Sequence, residues 1–159
     1  FSDLQSFFLE GTRQAVEEIR SEVRKARGLQ DGSAENDPVR RIRGAFQVFF
    51  DAIEKNKEMF LMLNRRRHDP GPYGGLIRRV FAEFVQDLTE DLETASKAGF
   101  TARLSPRLVA EAILGMSMHI AQVYAEQSGS RRWLDRKEAV DTLTELSLTG
   151  MLKEGSSRG

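Results

Sequence analysis

Few residues that carry chemistry in proteins stand at spacings that would let them act together. The two histidines, His68 and His119, are far apart and lack a metal-ligand spacing such as His-Glu-x-x-His. Ser117 and His119 are two residues apart, so on a helix they point to different sides and cannot form a dyad. The chain has no cysteine, which excludes disulfides, thiolate metal sites and cysteine catalysis. We therefore expect no enzymatic activity, no metal site and no cofactor.

The charged clusters have structural interpretations. Two pairs of carboxylates are predicted on the polar side of one helix, where such residues usually form a solvated face. They are Asp87 with Asp91 and Glu90 with Glu93. The basic run at residues 65–67 could bind nucleic acid, but we favour cations that offset the dipole at a helix C-terminus. Lys plus Arg and Asp plus Glu number 24 each, so no global basic field attracts nucleic acid or anionic lipid.

The elements that position these residues are predicted to be helices. An apolar period of 3.6 residues and only four prolines indicate an all-α protein, an antiparallel bundle of about six helices. We expect the helices at Asp3–Ala26, from Pro38 to about Ile53, at 58–63, at Gly75–Ala98, at Pro106–Gln127 and after Asp135. Leu4, Phe7, Phe8 and Leu146 are predicted to face inward. Residues 1–154 form one domain, and we expect the polar tail 155–159 to be disordered.

The most informative stretch is the helix between Leu104 and Gln127. It has no charged side chain from Ala112 to Ala125, and a helix that is apolar nearly all round is buried on several sides. Its Ser, His and Gln content argues against a membrane span, so we expect a soluble, cytoplasmic protein. We predict that a seam of mostly small residues on this helix and the last one packs against a second subunit. The predicted dimer interface is Ala110, Ser117, Ala121, Ala125, Leu143 and Ser147.

Inward-facing aromatic and sulfur-containing side chains suggest a ligand pocket between the helices. Methionine is common at permissive binding surfaces, and pockets between packed helices often hold ligands. His119 fits either a hydrogen-bonded core histidine or a ligand contact, since a buried imidazole needs a partner. The predicted ligand-binding residues are Phe49, Met62, Phe84, Met116 and His119. Their mostly apolar character indicates a small hydrophobic or aromatic ligand.

The order of these parts resembles the C-terminal domain of TetR-family transcriptional regulators. Residues 1–9, FSDLQSFFL, are similar to the junction at which the family's helix-turn-helix domain ends, although Asp-Leu-Gln replaces the more usual pair there. Ala98-Gly99, then Ser105-Pro106 and residues 110–116 (AEAILGM), resemble the lead into the family's eighth helix. Residues 143–152, ending Leu-Thr-Gly-Met-Leu, are similar to the close of the ninth.

The resemblance implies a function and a set of partners. Such proteins are homodimers through their last two helices, and most are repressors released when a small effector enters the pocket. It also implies that the three DNA-reading helices precede Phe1 in a longer protein, so operator DNA would be bound through that N-terminal part. The alternative is a stand-alone helical carrier of small molecules without a DNA role.

Overall fold

The computed structural model describes residues 2–27, 38–97, 104–127 and 131–151. These residues form six α-helices, and no β-strand occurs among them. The helices are α1 (Ser2–Ala26), α2 (Pro38–Lys55), α3 (Lys57–Arg66), α4 (Pro72–Lys97), α5 (Pro106–Glu126) and α6 (Arg136–Met151). The prediction of an all-α bundle of about six helices is confirmed. Phe1, Ala98, Gly99, Leu152 and the predicted tail 155–159 lie outside the described residues.

Two helices begin at the capping residues that the sequence indicates. Ser105 precedes α5, and its side chain accepts a hydrogen bond from the backbone N–H of Leu108, with Pro106 at the first helical position. Asp135 precedes α6, and its Oδ1 accepts from the N–H of Glu138 at 2.7 Å. Each cap pairs a donor that no carbonyl inside the helix can reach. Local chemistry therefore sets where both helices start.

The turn between α3 and α4 depends on two glycines. Gly71 has a φ of +102°, a conformation that side chains with a Cβ rarely adopt. Gly74 lies so close to the carbonyl of Asp69 that an added Cβ would clash with it. The break is shorter than predicted, because α4 begins at Pro72 rather than Gly75. Proline is well tolerated at the first position of a helix, so it starts α4 instead of prolonging the loop.

The core is centred on Phe50, whose side chain is completely buried. Its ring meets the rings of Phe49 and Tyr124 edge to face, with centroids 5.5 Å apart in each pair. The hydroxyl of Tyr124 donates a hydrogen bond to Glu54, so the polar end of this buried residue is satisfied. The same apolar cluster includes residues of α2 to α6 and Leu134, which precedes α6. α2 to α6 thus share one core.

Helix directions follow from the ion pairs that join them. α1 and α4 run in the same direction, since Arg20 meets Asp87, and Arg27, directly after α1, meets Asp91 one turn farther along α4. α2 and α6 run in opposite directions, as their ion pairs also indicate. α4 packs most extensively against α5. The bundle therefore surrounds the space between α1, α2, α4 and α5, with α3 at one end.

Four large side chains predicted to face inward are exposed instead. The first turns of α1 leave Leu4 and Phe7 about three-quarters exposed, and Phe8 is also exposed although its ring contacts that of Tyr73. Too little of the described chain packs over this end of α1 to cover them. On α6, Leu146 is 49% exposed, because its neighbour Ser147 takes the inward position. The prediction was wrong at these four residues.

Candidate ligand-binding cavity

A cavity of about 180 Å³ lies between the helices. Side chains of α1 to α5 line it, and α6 contributes Ser147. One wall consists of four α4 residues spaced four apart, Leu76, Val80, Phe84 and Leu88. Residues at this spacing lie above one another on a helix, so these four side chains form a continuous apolar surface. An apolar cavity of about 150 Å³ can stay dry and bind benzene, so this cavity is large enough for a small apolar molecule.

Phenylalanine dominates the lining. The cavity contacts the rings of Phe46, Phe49, Phe60, Phe81 and Phe84. Most of the remaining wall is Val, Ile, Leu and Met, and these side chains offer no hydrogen bonds to a polar ligand. Ligand pockets of this composition bind the apolar body of a molecule, while a few placed polar groups fix its orientation. The polar exceptions in the wall are therefore informative.

Three polar side chains that line the cavity contain buried atoms without a hydrogen-bond partner. They are Nε and Nη2 of Arg27, Oδ1 of Asn64 and Oγ of Ser147. Nδ2 of Asn64 does have a partner, since it donates to Oε1 of Gln122 at 2.7 Å. A buried polar group without a partner costs about 1–3 kcal/mol, more if it is charged. A bound molecule that hydrogen-bonds to these atoms would remove that cost.

Next to the cavity, charged residues of α1 and α4 face each other. This corrects the prediction of a solvated face for Asp87 and Asp91, whereas Glu90 and Glu93 are exposed as predicted. Asp87 is buried, and it accepts hydrogen bonds from Nε and Nη2 of Arg20 at 2.6 and 2.9 Å. Burial favours a raised pKa of Asp87, but the hydrogen bonds and charge of Arg20, with help from Arg24 and Arg27, lower it below the ordinary value. Asp87 is therefore held ionised inside the subunit.

Asp91, one turn farther along α4, is in a different electrostatic state. Its Oδ2 lies 3.1 Å from Nε of Arg27, yet neither atom has a partner with hydrogen-bond geometry. Burial raises the pKa of Asp91 to about 6, and the charge of Arg27 only partly opposes this. Burial likewise lowers the pKa of Arg27, against the charges of Asp91 and Asp87. Arg27 and Asp91 thus compensate each other's charge while keeping hydrogen-bonding capacity free.

The structure brings two of the five predicted ligand-binding residues to the cavity. Phe49 and Phe84 line it, whereas Met62, Met116 and His119 do not. His119 is exposed, and Met62 and Met116 are half-buried elsewhere on α3 and α5. Periodicity alone does not distinguish the side of α5 that faces the cavity from the side that faces outward. The placement of these three residues in the pocket was therefore wrong.

The predicted dimer seam lies inside the subunit. All six of its residues are buried within the single chain, namely Ala110, Ser117, Ala121, Ala125, Leu143 and Ser147. Ser117 and Ser147 even line the cavity. Side chains that are already covered cannot provide a surface to a second copy, so the seam was assigned to the wrong side of α5. Small residues allow close approach, but here the approach is between helices of one chain.

The opposite side of α5 is uncovered, and a stripe of small and apolar residues with one histidine runs along it beside the exposed ion pair of Arg107 and Glu111. Leu108, Ala112, Gly115 and His119 are exposed and follow a spacing of four, three and four, so they form one stripe along the helix. Leu108 is 69% exposed, although it is a large apolar side chain. An added Cβ at Gly115 would meet nothing within 4 Å, so packing inside the subunit does not require a glycine there. We call these four residues the outer stripe of α5.

Sequence reasoning missed Arg27, Asn64 and Ser147 as cavity residues. A signal for Arg27 was present, because Arg20, Arg24 and Arg27 share one face of α1. Asp87 and Asp91 form a matching acidic stripe on α4, and two such stripes can pair across a helix contact. Nothing in the local sequence distinguishes Asn64 from the exposed arginines that follow it. Its position depends on contact with α5, which is a tertiary property.

Comparison with known proteins gives no independent identification. No protein-family model matches the chain, and no curated protein matches it. Among the residues that the structure describes, no group of three or more His, Cys, Asp or Glu side chains could hold a metal ion. By length and composition α5 could cross a membrane, a property that core helices of soluble proteins share.

Proposed function

We propose that this chain is the effector-binding and dimerisation region of a TetR-type transcriptional regulator that acts in the cytoplasm. The observation that carries the proposal is the phenylalanine-rich cavity enclosed by the six-helix bundle. The cavity gives a small hydrophobic or aromatic effector a place to bind. The sequence resemblance at residues 1–9, 98–116 and 143–152 supports the choice of family.

Operator DNA would be bound through helices that precede Phe1. The uncovered first turns of α1 support this part of the proposal, since Leu4 and Phe7 present apolar side chains to solvent at that end. Apolar residues left exposed together commonly mark a contact with another domain or chain. In the proposed mechanism a ligand favours the conformation in which the two DNA-binding heads fit the operator poorly, as for most repressors.

The second copy of this chain is proposed to pack on the outer stripe of α5 and the exposed side of α6. The stripe combines small residues, which let two helices approach closely, with the apolar Leu108. Gly115 lies within this stripe, and because an added Cβ there meets nothing within 4 Å, the surface of its own subunit leaves room for a second helix. On α6, Thr142 and the half-exposed Leu146 extend the surface.

The same helix carries the cavity wall and the outer stripe. Ile113 and Ser117 line the cavity, whereas Ala112 and Gly115 face outward. A ligand that contacts Ile113 and Ser117 and displaces α5 would therefore also move the outer stripe at Ala112 and Gly115. This arrangement supports coupling between effector binding and dimer geometry.

Replacing Gly115 with arginine tests the proposed dimer. The substitution puts a long cation on the proposed twofold contact, and an added Cβ at this position meets no atom of its own subunit within 4 Å. Sedimentation velocity is expected to show a dimer for the wild type and a monomer for Gly115→Arg at the same micromolar concentration. Circular dichroism should show that both keep their helical content.

Gly11→Arg is the matched control for this test. Gly11 is also exposed in the middle of a helix, and an added Cβ there likewise meets nothing within 4 Å. We expect this variant to remain dimeric. A wild type that is monomeric at high micromolar concentration, or a Gly115→Arg variant that stays dimeric, would contradict the proposed interface.

A stand-alone helical carrier would use the same cavity, so the cavity does not distinguish a carrier from a regulator. The coding sequence upstream of Phe1 distinguishes them. Roughly 40–50 residues containing a helix-turn-helix pattern are expected there for the regulator. A start codon immediately before Phe1 would favour the carrier instead.

A further inference from the structure

The two ends of the cavity offer different hydrogen-bonding chemistry. Arg27 lies at the C-terminal end of α1 beside Asp91, and Asn64 lies near the C-terminal end of α3. The end of α3 is close to Arg78, whose Nη1 is 3.4 Å from the carbonyl of Arg67. Asp91 follows Arg78 by thirteen positions, which is about 20 Å along α4. The polar groups therefore mark opposite ends of the wall formed by α4.

At the first end, the free donors belong to the cation Arg27, and the free acceptor Oδ2 of Asp91 lies 3.1 Å from its Nε, so Nη2 is the donor left for a ligand. The guanidinium of Arg27 can only donate, and its side chain is 13% exposed. Asp91 compensates the charge of Arg27 but leaves Nε and Nη2 of Arg27 without hydrogen bonds. A planar group with two acceptor oxygens matches the fork of an arginine best.

At the second end, the free atom is an acceptor. Nδ2 of Asn64 is already used by Gln122, and Oδ1 remains without a partner. An anion would be repelled by this oxygen, whereas a hydroxyl or an apolar end would be accepted. An amphipathic molecule would therefore lie with its negative group toward Arg27 and its other end toward Asn64.

We propose that the cavity binds an amphipathic carboxylate, with the carboxylate on the guanidinium of Arg27 and the apolar body along the α4 wall toward Asn64. The inference rests on the proposed function, since it takes the cavity to be the effector site. It narrows the ligand class from hydrophobic molecules in general to those that carry a carboxylate at one end. It also assigns the orienting role to Arg27, in place of the predicted His119.

The test compares ligands that differ only in the head group. Decanoate and decanol are used to displace the uncharged dye N-phenylnaphthylamine from the 159-residue chain, in the wild type and in Arg27→Gln. The variant is expected to bind decanoate about 10- to 100-fold more weakly, the range for one hydrogen-bonded charge. Its affinity for decanol should stay within about twofold of the wild-type value, because the alcohol has no charge to pair.

Two further variants separate the role of Arg27 from general effects. Arg24→Gln removes a charge from the same helix at a residue that does not line the cavity, and we expect it to bind decanoate like the wild type. Arg27→Lys keeps the charge and should retain most of the preference for decanoate. Circular dichroism shows whether Arg27→Gln folds. If it does not, Arg27→Lys still tests whether the charge at this position determines the preference for decanoate.

Each result has a distinct meaning. Equal affinity of the wild type for decanoate and decanol would overturn the inference and leave the cavity as an effector site for neutral molecules. Unchanged decanoate binding in a folded Arg27→Gln variant would overturn it as well. If neither ligand nor dye binds the wild type, the proposed effector site itself fails, and the inference fails with it.

Discussion

The two sides of the cavity are held together by opposite kinds of contact. Between α1 and α4, charged side chains meet, and the closest pair is Arg20 with the buried Asp87 at 2.6 Å. Along the inner side of α5, small side chains such as Ala110 and Ala121 are fully buried without any charge. Packing of α1 against α4 depends on the pairing of specific charged atoms. Packing along the inner side of α5 depends on the small volume of its side chains. Sequence patterns describe both sides as helices with an apolar face and do not show this difference.

The contrast has an energetic reason. A buried ion pair loses its hydration, so it stabilises the fold only while both partners and their hydrogen bonds are present. A small-residue contact requires only that nothing larger occupies the space, because protein interiors are packed as densely as organic crystals. The α1–α4 side should therefore respond to charge and pH, and the α5 side to side-chain size.

The largest expected effect comes from breaking the charged side at Asp87. In Asp87→Asn the bidentate pair with Arg20 is lost, while Glu83, 3.0 Å from Arg20, keeps part of the compensation. The free energy of unfolding should fall by about 3 kcal/mol, measured by urea denaturation. Glu93→Gln, an exposed carboxylate on the same helix, is the control and should change stability by less than about 0.5 kcal/mol. Equal effects would mean that Asp87 is solvated, as the sequence predicted.

A somewhat smaller effect is expected from enlarging the small side. Ala121 is fully buried, so Ala121→Leu must displace neighbouring side chains. The cost should be about 2 kcal/mol in the free energy of unfolding, because overpacking strains a dense core. Ala82→Leu makes the same change at an exposed position of α4 and should be nearly neutral. If Ala121→Leu keeps its stability but loses the dimer, the seam predicted from the sequence would be right after all.

The smallest effect is a pH dependence that separates Asp91 from Asp87. The folded pKa of Asp91, about 6, exceeds its ordinary value of 3.8, so the folded state takes up a proton before the unfolded state does. As the pH falls from about 7 to about 4.5, the free energy of unfolding of the wild type should therefore rise relative to that of Asp91→Asn. The expected rise is on the order of 1 kcal/mol.

Asp87 should behave in the opposite way. Its folded pKa is lowered, so its contribution is present above the ordinary value and is lost only as the pH falls through the lower folded value. The difference between wild type and Asp87→Asn should thus stay constant between about pH 7 and pH 4.5. Urea denaturation across this range checks both variants. Parallel curves for the two would contradict the different electrostatic states of the two carboxylates.

Much of the fold can be predicted from the sequence because helices are local. The starts of α5 and α6 were predicted correctly, since the caps at Ser105 and Asp135 depend on hydrogen bonds within one turn. The four-residue spacing of Leu76, Val80, Phe84 and Leu88 is likewise visible in the sequence and is typical of one apolar helix face. Predicting that face required only the period of the helix.

The candidate site was predicted less well, because facing another helix is not a local property. α5 is apolar on almost every side, so its sequence gives no reason to prefer the seam at Ala121 over the outer stripe at Ala112. Only packing against α4 and α6 decides that the first is buried and the second exposed. The same limit explains why His119 was predicted to be internal. Its neighbours in the sequence are apolar, but the structure leaves it exposed.

By itself, the sequence determined the six helices, their caps and the apolar stripes that later meet. The tertiary structure alone decided which stripes enclose a cavity, and that Arg27 and Asn64 mark its two ends. It also decided that Asp87 is a buried partner of Arg20 rather than part of a solvated face. The physical reason is the range of the interactions: backbone hydrogen bonds and caps act within a turn, whereas burial and charge pairing depend on residues far apart in the chain.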